Sequence, residues 1–99
     1  MRFTLSKSAA WGIGFGGVAQ VAPTVLVAGP YRMYFSSHEP SEPPHIHVDR
    51  HDQSAKFWLE PVALSRNLGF GPAELRRVQR LVAENQALLL EKWHERFPS

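Results

Sequence analysis

The stretch His45-Ile46-His47-Val48-Asp49-Arg50-His51 alternates polar and apolar residues through Asp49. A period of two belongs to a β-strand, whose successive side chains point to opposite faces. Ile46 and Val48 therefore face a core, while His45, His47 and Asp49, with His51 beyond them, face the other way. Asp52-Gln53-Ser54 is expected to turn the chain. Ala55-Lys56-Phe57-Trp58-Leu59 then returns as an antiparallel strand. It adds Phe57 and Leu59 to the core side and Lys56, Trp58 and Glu60 to the histidine side.

Upstream, Thr24-Val25-Leu26-Val27-Ala28 is apolar and rich in β-branched residues, and Gly29-Pro30 ends it. Tyr31-Arg32-Met33-Tyr34-Phe35 alternates again. A two-residue connection makes these two strands a hairpin. Ser36 to Pro44 holds three prolines and two acids and reads as a loop. Downstream, Pro61 to Phe70 reads as a connector with Leu64 and Leu68 as packing residues. Gly71-Pro72 opens a helix, since proline suits a first helical turn. The helix is expected from Pro72 to Arg96, with Leu75, Val78, Val82, Leu89 and Trp93 as its apolar stripe, widened by Leu81 and Leu88. Trp93 and Phe97 are placed to dock its end. The expected architecture is α+β: an antiparallel sheet of about four strands with a long C-terminal helix packed on one face.

The chain has 99 residues, 43% of them hydrophobic and 20% charged, which is one globular domain rather than a disordered segment. A chain of this length buries roughly 60–65% of its unfolded surface, so a site is shallow or is completed by a partner. There is no cysteine, which excludes disulfides, thiolate metal sites and a cysteine nucleophile and suits a reducing, cytoplasmic setting. The net charge of +2 is a mild excess that permits an acidic partner without demanding one. Residues 1–22 differ from the rest. Arg2 and Lys7 precede an apolar stretch interrupted by glycines at 12, 14, 16 and 17. These glycines disfavour a helical signal segment, and the stretch is too short for a membrane span. Residues 1–22 are expected to be an N-terminal extension and residues 23–99 to be the domain.

Three residue sets carry chemistry. His45 and His47, at i and i+2 on one strand face, resemble half of a metal site to which Asp49 adds an oxygen donor, a set suited to Zn²⁺ or Fe²⁺. The same His45, His47 and Asp49 are the candidate catalytic residues, because histidine titrates near neutrality and serves as acid or base. Equally, they are compatible with a solvated sheet face of no catalytic role. Arg76, Arg77 and Arg80, early in the helix, form a candidate nucleic-acid or anion site, since cations there oppose the helix dipole. Trp58 and Tyr34, if exposed, would add stacking surfaces for single-stranded RNA. Alternating histidines also occur in the histidine-triad hydrolases, but the third position here is Asp49 and the phosphate-binding glycines are missing.

The order Gly29-Pro30-Tyr31-Arg32-Met33-Tyr34-Phe35, Glu42-Pro43-Pro44-His45-Ile46-His47-Val48, Ala55-Lys56-Phe57-Trp58-Leu59 and Glu74-Leu75-Arg76-Arg77, ending in Trp93-His94, resembles the small bacterial family called domain of unknown function 4160. The resemblance covers residues 23–97, beginning with Pro23-Thr24-Val25, and implies that residues 1–22 are extra and dispensable, with Val21 as an alternative start. It implies no established activity. It does imply a protein partner from a neighbouring gene, often of domain of unknown function 2442, in a toxin–antitoxin-like operon. The leading expectation is a small cytoplasmic interaction protein of such a pair, with a shallow His-lined surface, no membrane and no required cofactor. The alternatives are a histidine- or metal-dependent ribonuclease-type toxin and an RNA or nucleic-acid-binding module. A divalent metal and a homo-oligomer stay open.

Overall fold

The computed structural model describes residues 23–36 and 41–98. The expected N-terminal extension and part of the 36–44 loop lie outside them. The chain forms five strands, β1 (Thr24–Ala28), β2 (Tyr31–Tyr34), β3 (His45–Arg50), β4 (Gln53–Leu59) and β5 (Val62–Leu68), followed by α1 (Pro72–Glu84) and α2 (Gln86–Arg96). All five strands pair antiparallel in chain order, so β1 and β5 are the edges.

The α+β class and the antiparallel sheet agree with the sequence reading. Three details differ. The expected connector contains β5. Its side chains from Leu64 to Leu68 are exposed, and a register shift between Lys56 and Phe57 breaks its alternation, so it lacks the pattern of a half-buried strand. Leu64 and Leu68 are correspondingly outside the core, 41% and 57% exposed. Second, the loop between β3 and β4 is His51-Asp52, one residue earlier than expected. His51 has φ 54°, a left-handed conformation in which histidine is among the enriched non-glycine types. Its side chain is therefore not a continuation of the β3 face. Third, the helix is interrupted at Asn85. Its side-chain amide donates to the Leu81 carbonyl at 2.8 Å, and its backbone N–H is shared between the carbonyls of Leu81 and Val82. Asparagine competes with the helix ladder in this way, which makes it a weak helix interior residue.

The core lies between the helices and one sheet face. Met33, Ile46, Val48, Phe57 and Leu59 from the strands meet Val78 and Val82 of α1 and Leu89 and Trp93 of α2. Each of these apolar side chains contributes about 1.5–3 kcal/mol on full burial. Phe35, Trp93 and Phe97 close one end, with ring centroids 5.3 Å and 4.4 Å apart for Phe35–Trp93 and Trp93–Phe97. At the other end Glu74 of α1 accepts hydrogen bonds from the Tyr31 hydroxyl at 2.8 Å and from the Arg50 guanidinium. Those two donors hold the Glu74 carboxyl below its ordinary range. No described helix is long and apolar enough to cross a membrane.

Candidate functional site

The helices cover one face of the sheet. The strand registers fix what the other face carries. One row across the sheet runs Tyr34, His47, Lys56, Arg66. The row beside it on one side is Arg32, Asp49, Ser54, Leu68, and on the other side His45, Trp58, Ala63. On β2, β3 and β4 the pleat brings these residues to one side because neighbours on the same strand are two apart, and on β5 the register shift lets Ala63 and Arg66, three apart, keep to that side.

Aromatic rings and cations interlock on this face. The Tyr34 and His47 rings stack at 5.3 Å with 18° between planes. The Arg32 guanidinium lies 4.4 Å from the Tyr34 ring centroid, and its Nε donates to Thr24 Oγ1 at 2.7 Å. The Lys56 ammonium lies 4.8 Å from the Trp58 ring centroid and 2.6 Å from Glu42 Oε1. Lys56 is only 7% exposed, so its stem is packed and its charge is held in one place. The Tyr34 hydroxyl donates to Asp49 Oδ1 at 3.2 Å. Burial first, and then the Asp49 carboxylate, push the Tyr34 phenol above its ordinary range. Arg66, on the edge strand, is exposed and has no ion pair or hydrogen bond among the described residues.

The histidine pair is split by its surroundings. His47 is half-buried on this face. His45 is 0% exposed, with its ring 5.0 Å from that of Trp93, 5.8 Å from Trp58 and 5.2 Å from His47. Its Nδ1 lies 2.9 Å from the Pro43 carbonyl. A carbonyl only accepts, so Nδ1 carries the proton and donates it. This corrects the sequence-based picture of three equivalent groups, His45, His47 and Asp49, on one solvated face. The strand begins where the sheet end is closed by α2, and Trp93 packs onto the first histidine there. The two imidazoles meet edge to face at 82° instead of converging on one point. Among the described residues no group of three or more His, Asp or Glu side chains is placed to hold a metal ion. The described residues thus bring no third donor to His45 and His47.

Arg76, Arg77 and Arg80 are exposed on α1, in the layer on the far side of the core. They are not brought together with His47, Trp58 or Tyr34. Glu74 occupies the first turn of α1 ahead of them, so the dipole argument for an anion there loses force. The cations that do share a face with the aromatics are Arg32, Lys56 and Arg66. Arg32 and Lys56 were legible as outward positions on their strands. Arg66 was hidden because β5 carries no alternating signal.

A family model described as Domain of unknown function (DUF4160) matches residues 31–94. No curated protein and no solved structure matches the chain.

Proposed function

The chain belongs to the domain of unknown function 4160 family, matched over the segment that carries β2 to β5 and nearly all of both helices, and on that premise we propose that it binds single-stranded nucleic acid on the sheet face opposite the two helices. The observation that carries this reading is the co-facial set of half-buried rings and cations, Tyr34, His47 and Trp58 with Arg32, Lys56 and Arg66. Sequence-tolerant single-strand binding uses that combination: aromatic faces on which bases stack and positive groups along the backbone path. The rings are already fixed by their neighbours, so little side-chain order is lost on binding. The function is binding rather than catalysis. A ribonuclease mechanism on His45 and His47 draws less support, because an acid–base pair must reach the substrate and His45 is enclosed.

The test is fluorescence anisotropy with a labelled single-stranded RNA oligomer. Trp58→Ala is expected to weaken binding by about 1–3 kcal/mol, the range for one lost base–aromatic stack. Charge reversal at Arg76, Arg77 and Arg80 together is expected to change it little. The opposite pattern would move the interface to α1.

A second reading rests on a different observation. Val27 on β1 and Leu64 and Leu68 on β5 are exposed at the two sheet edges, 65%, 41% and 57%. Edge strands with unpaired backbone groups accept a further strand from a partner. This supports a protein partner that adds a strand, and the resemblance makes the product of a neighbouring gene in a toxin–antitoxin-like pair the candidate. Co-expression with that product tests it: Leu64→Lys and Leu68→Lys together should break the complex, and an intact complex would sink the edge-strand reading.

A further inference from the structure

The open face contains a small pocket of about 130 Å³ lined by His47, Ser54, Ala55, Lys56, Arg66 and Leu68. Drug-sized ligands occupy pockets of about 300–1,000 Å³, so this one accepts a single small group rather than a whole base or cofactor. Its polar lining is cationic. The Lys56 ammonium is fixed between Glu42 and the Trp58 ring, and Arg66 faces it across the β4–β5 register. Asp49, an acid on the same face, accepts from Tyr34, and Ser54 also interacts with the Tyr34 hydroxyl. Glu42 is the other acid at hand, and it lies against Lys56. Arg66 is therefore the cation at this pocket without a counter-charge among the described residues. A guanidinium presents a planar fork of donors that matches a phosphate's oxygens.

We propose that this pocket is a phosphate subsite, in which Arg66 and Lys56 hold one phosphodiester group of a single strand whose neighbouring bases stack on Trp58 and on the Tyr34–His47 pair. The subsite rests on the reading of the open face as a nucleic-acid surface. It adds a register to that reading, because a phosphate seated between β4 and β5 fixes where the adjacent bases fall. The recognised chemistry is the phosphodiester itself, present in both RNA and single-stranded DNA.

The experiment uses the full chain with labelled single-stranded RNA and single-stranded DNA octamers of the same sequence, titrated at several salt concentrations. Arg66→Glu and Arg66→Gln are compared with the unaltered protein. Arg66 is exposed on an edge strand, so both variants keep the fold, which circular dichroism checks. The expected result is roughly tenfold weaker binding for Arg66→Glu at low salt, with a log–log salt slope shallower by about 0.7, the value for one single-strand phosphate contact. Inorganic phosphate should compete with the strand for the unaltered protein and compete less for Arg66→Gln. Similar losses for RNA and DNA would support recognition through phosphate, whereas a loss confined to RNA would overturn it in favour of a sugar contact. Unchanged affinity and slope in both Arg66 variants, with Trp58→Ala still impaired, would overturn the subsite while leaving the open-face reading standing. No binding of either strand by the unaltered protein would overturn both.

Discussion

The His45 ring packs 5.0 Å from the ring of Trp93, although the two residues belong to opposite layers of the fold. This contact divides the His-x-His run. Its first histidine belongs to the closed end of the core. The second, His47, belongs to the open face and stacks on Tyr34.

The division predicts unequal effects of the two alanine substitutions. His45→Ala leaves the Pro43 carbonyl without its donor and a void beside Trp93 and Trp58. The expected loss is roughly 1–3 kcal/mol of stability, the range for an unmade buried hydrogen bond. His47→Ala should cost under about 1 kcal/mol, as for a partly exposed position away from the core. Urea denaturation of both variants decides it. Equal losses would mean that the two histidines share one environment.

How much of this was readable before the fold was known can be judged at the same run. Alternation identified β3 and the core positions Ile46 and Val48, and the Gly29-Pro30 connection identified the hairpin that precedes them. It also placed His47, Lys56 and Trp58 on one face. The burial of His45 was not readable, because it depends on where α2 ends its path across the sheet. β5 was not readable either, since an edge strand with a shifted register and exposed Ser65, Arg66 and Asn67 has no period to detect. The arginines of α1 drew attention by their clustering, but clustering in sequence does not say which layer faces a ligand. Arg66, which in sequence lies just ahead of the α1 arginines, is placed on the sheet face only by its pairing with Lys56.

Tyr34 offers a spectroscopic handle on the open face. Its phenol should ionise above the ordinary value of 10.0, because burial and the Asp49 carboxylate both favour the neutral form. A raised folded value stabilises the protein below the unfolded value, and that contribution fades as pH rises through the folded one. Ultraviolet titration of the tyrosinate band should therefore show a late-ionising group. Asp49→Asn should move it toward lower pH. If Asp49→Asn leaves the titration where it was, the carboxylate does not act on the phenol.

Glu74 predicts the acid limit of the fold. Tyr31 and Arg50 hold its carboxyl below the ordinary 4.5. A lowered folded value means that its stabilising contribution is present above the unfolded value and is lost as pH falls through the folded one. Glu74→Gln should reduce stability at neutral pH and flatten its decline in that acid window. Thermal melts of the two proteins across the window check this. Parallel pH profiles would show that the clamp between α1 and the β2–β3 strands contributes nothing that titrates.

The most direct measurement of the central claim is backbone and side-chain NMR mapping of the full chain as an unlabelled single-stranded RNA octamer is added. The open-face account predicts shifts concentrated at Tyr34, His47, Trp58 and Arg66, with Arg76, Arg77 and Arg80 nearly unmoved. Shifts concentrated on the three α1 arginines, or none at concentrations that saturate weak single-strand binding, would contradict it.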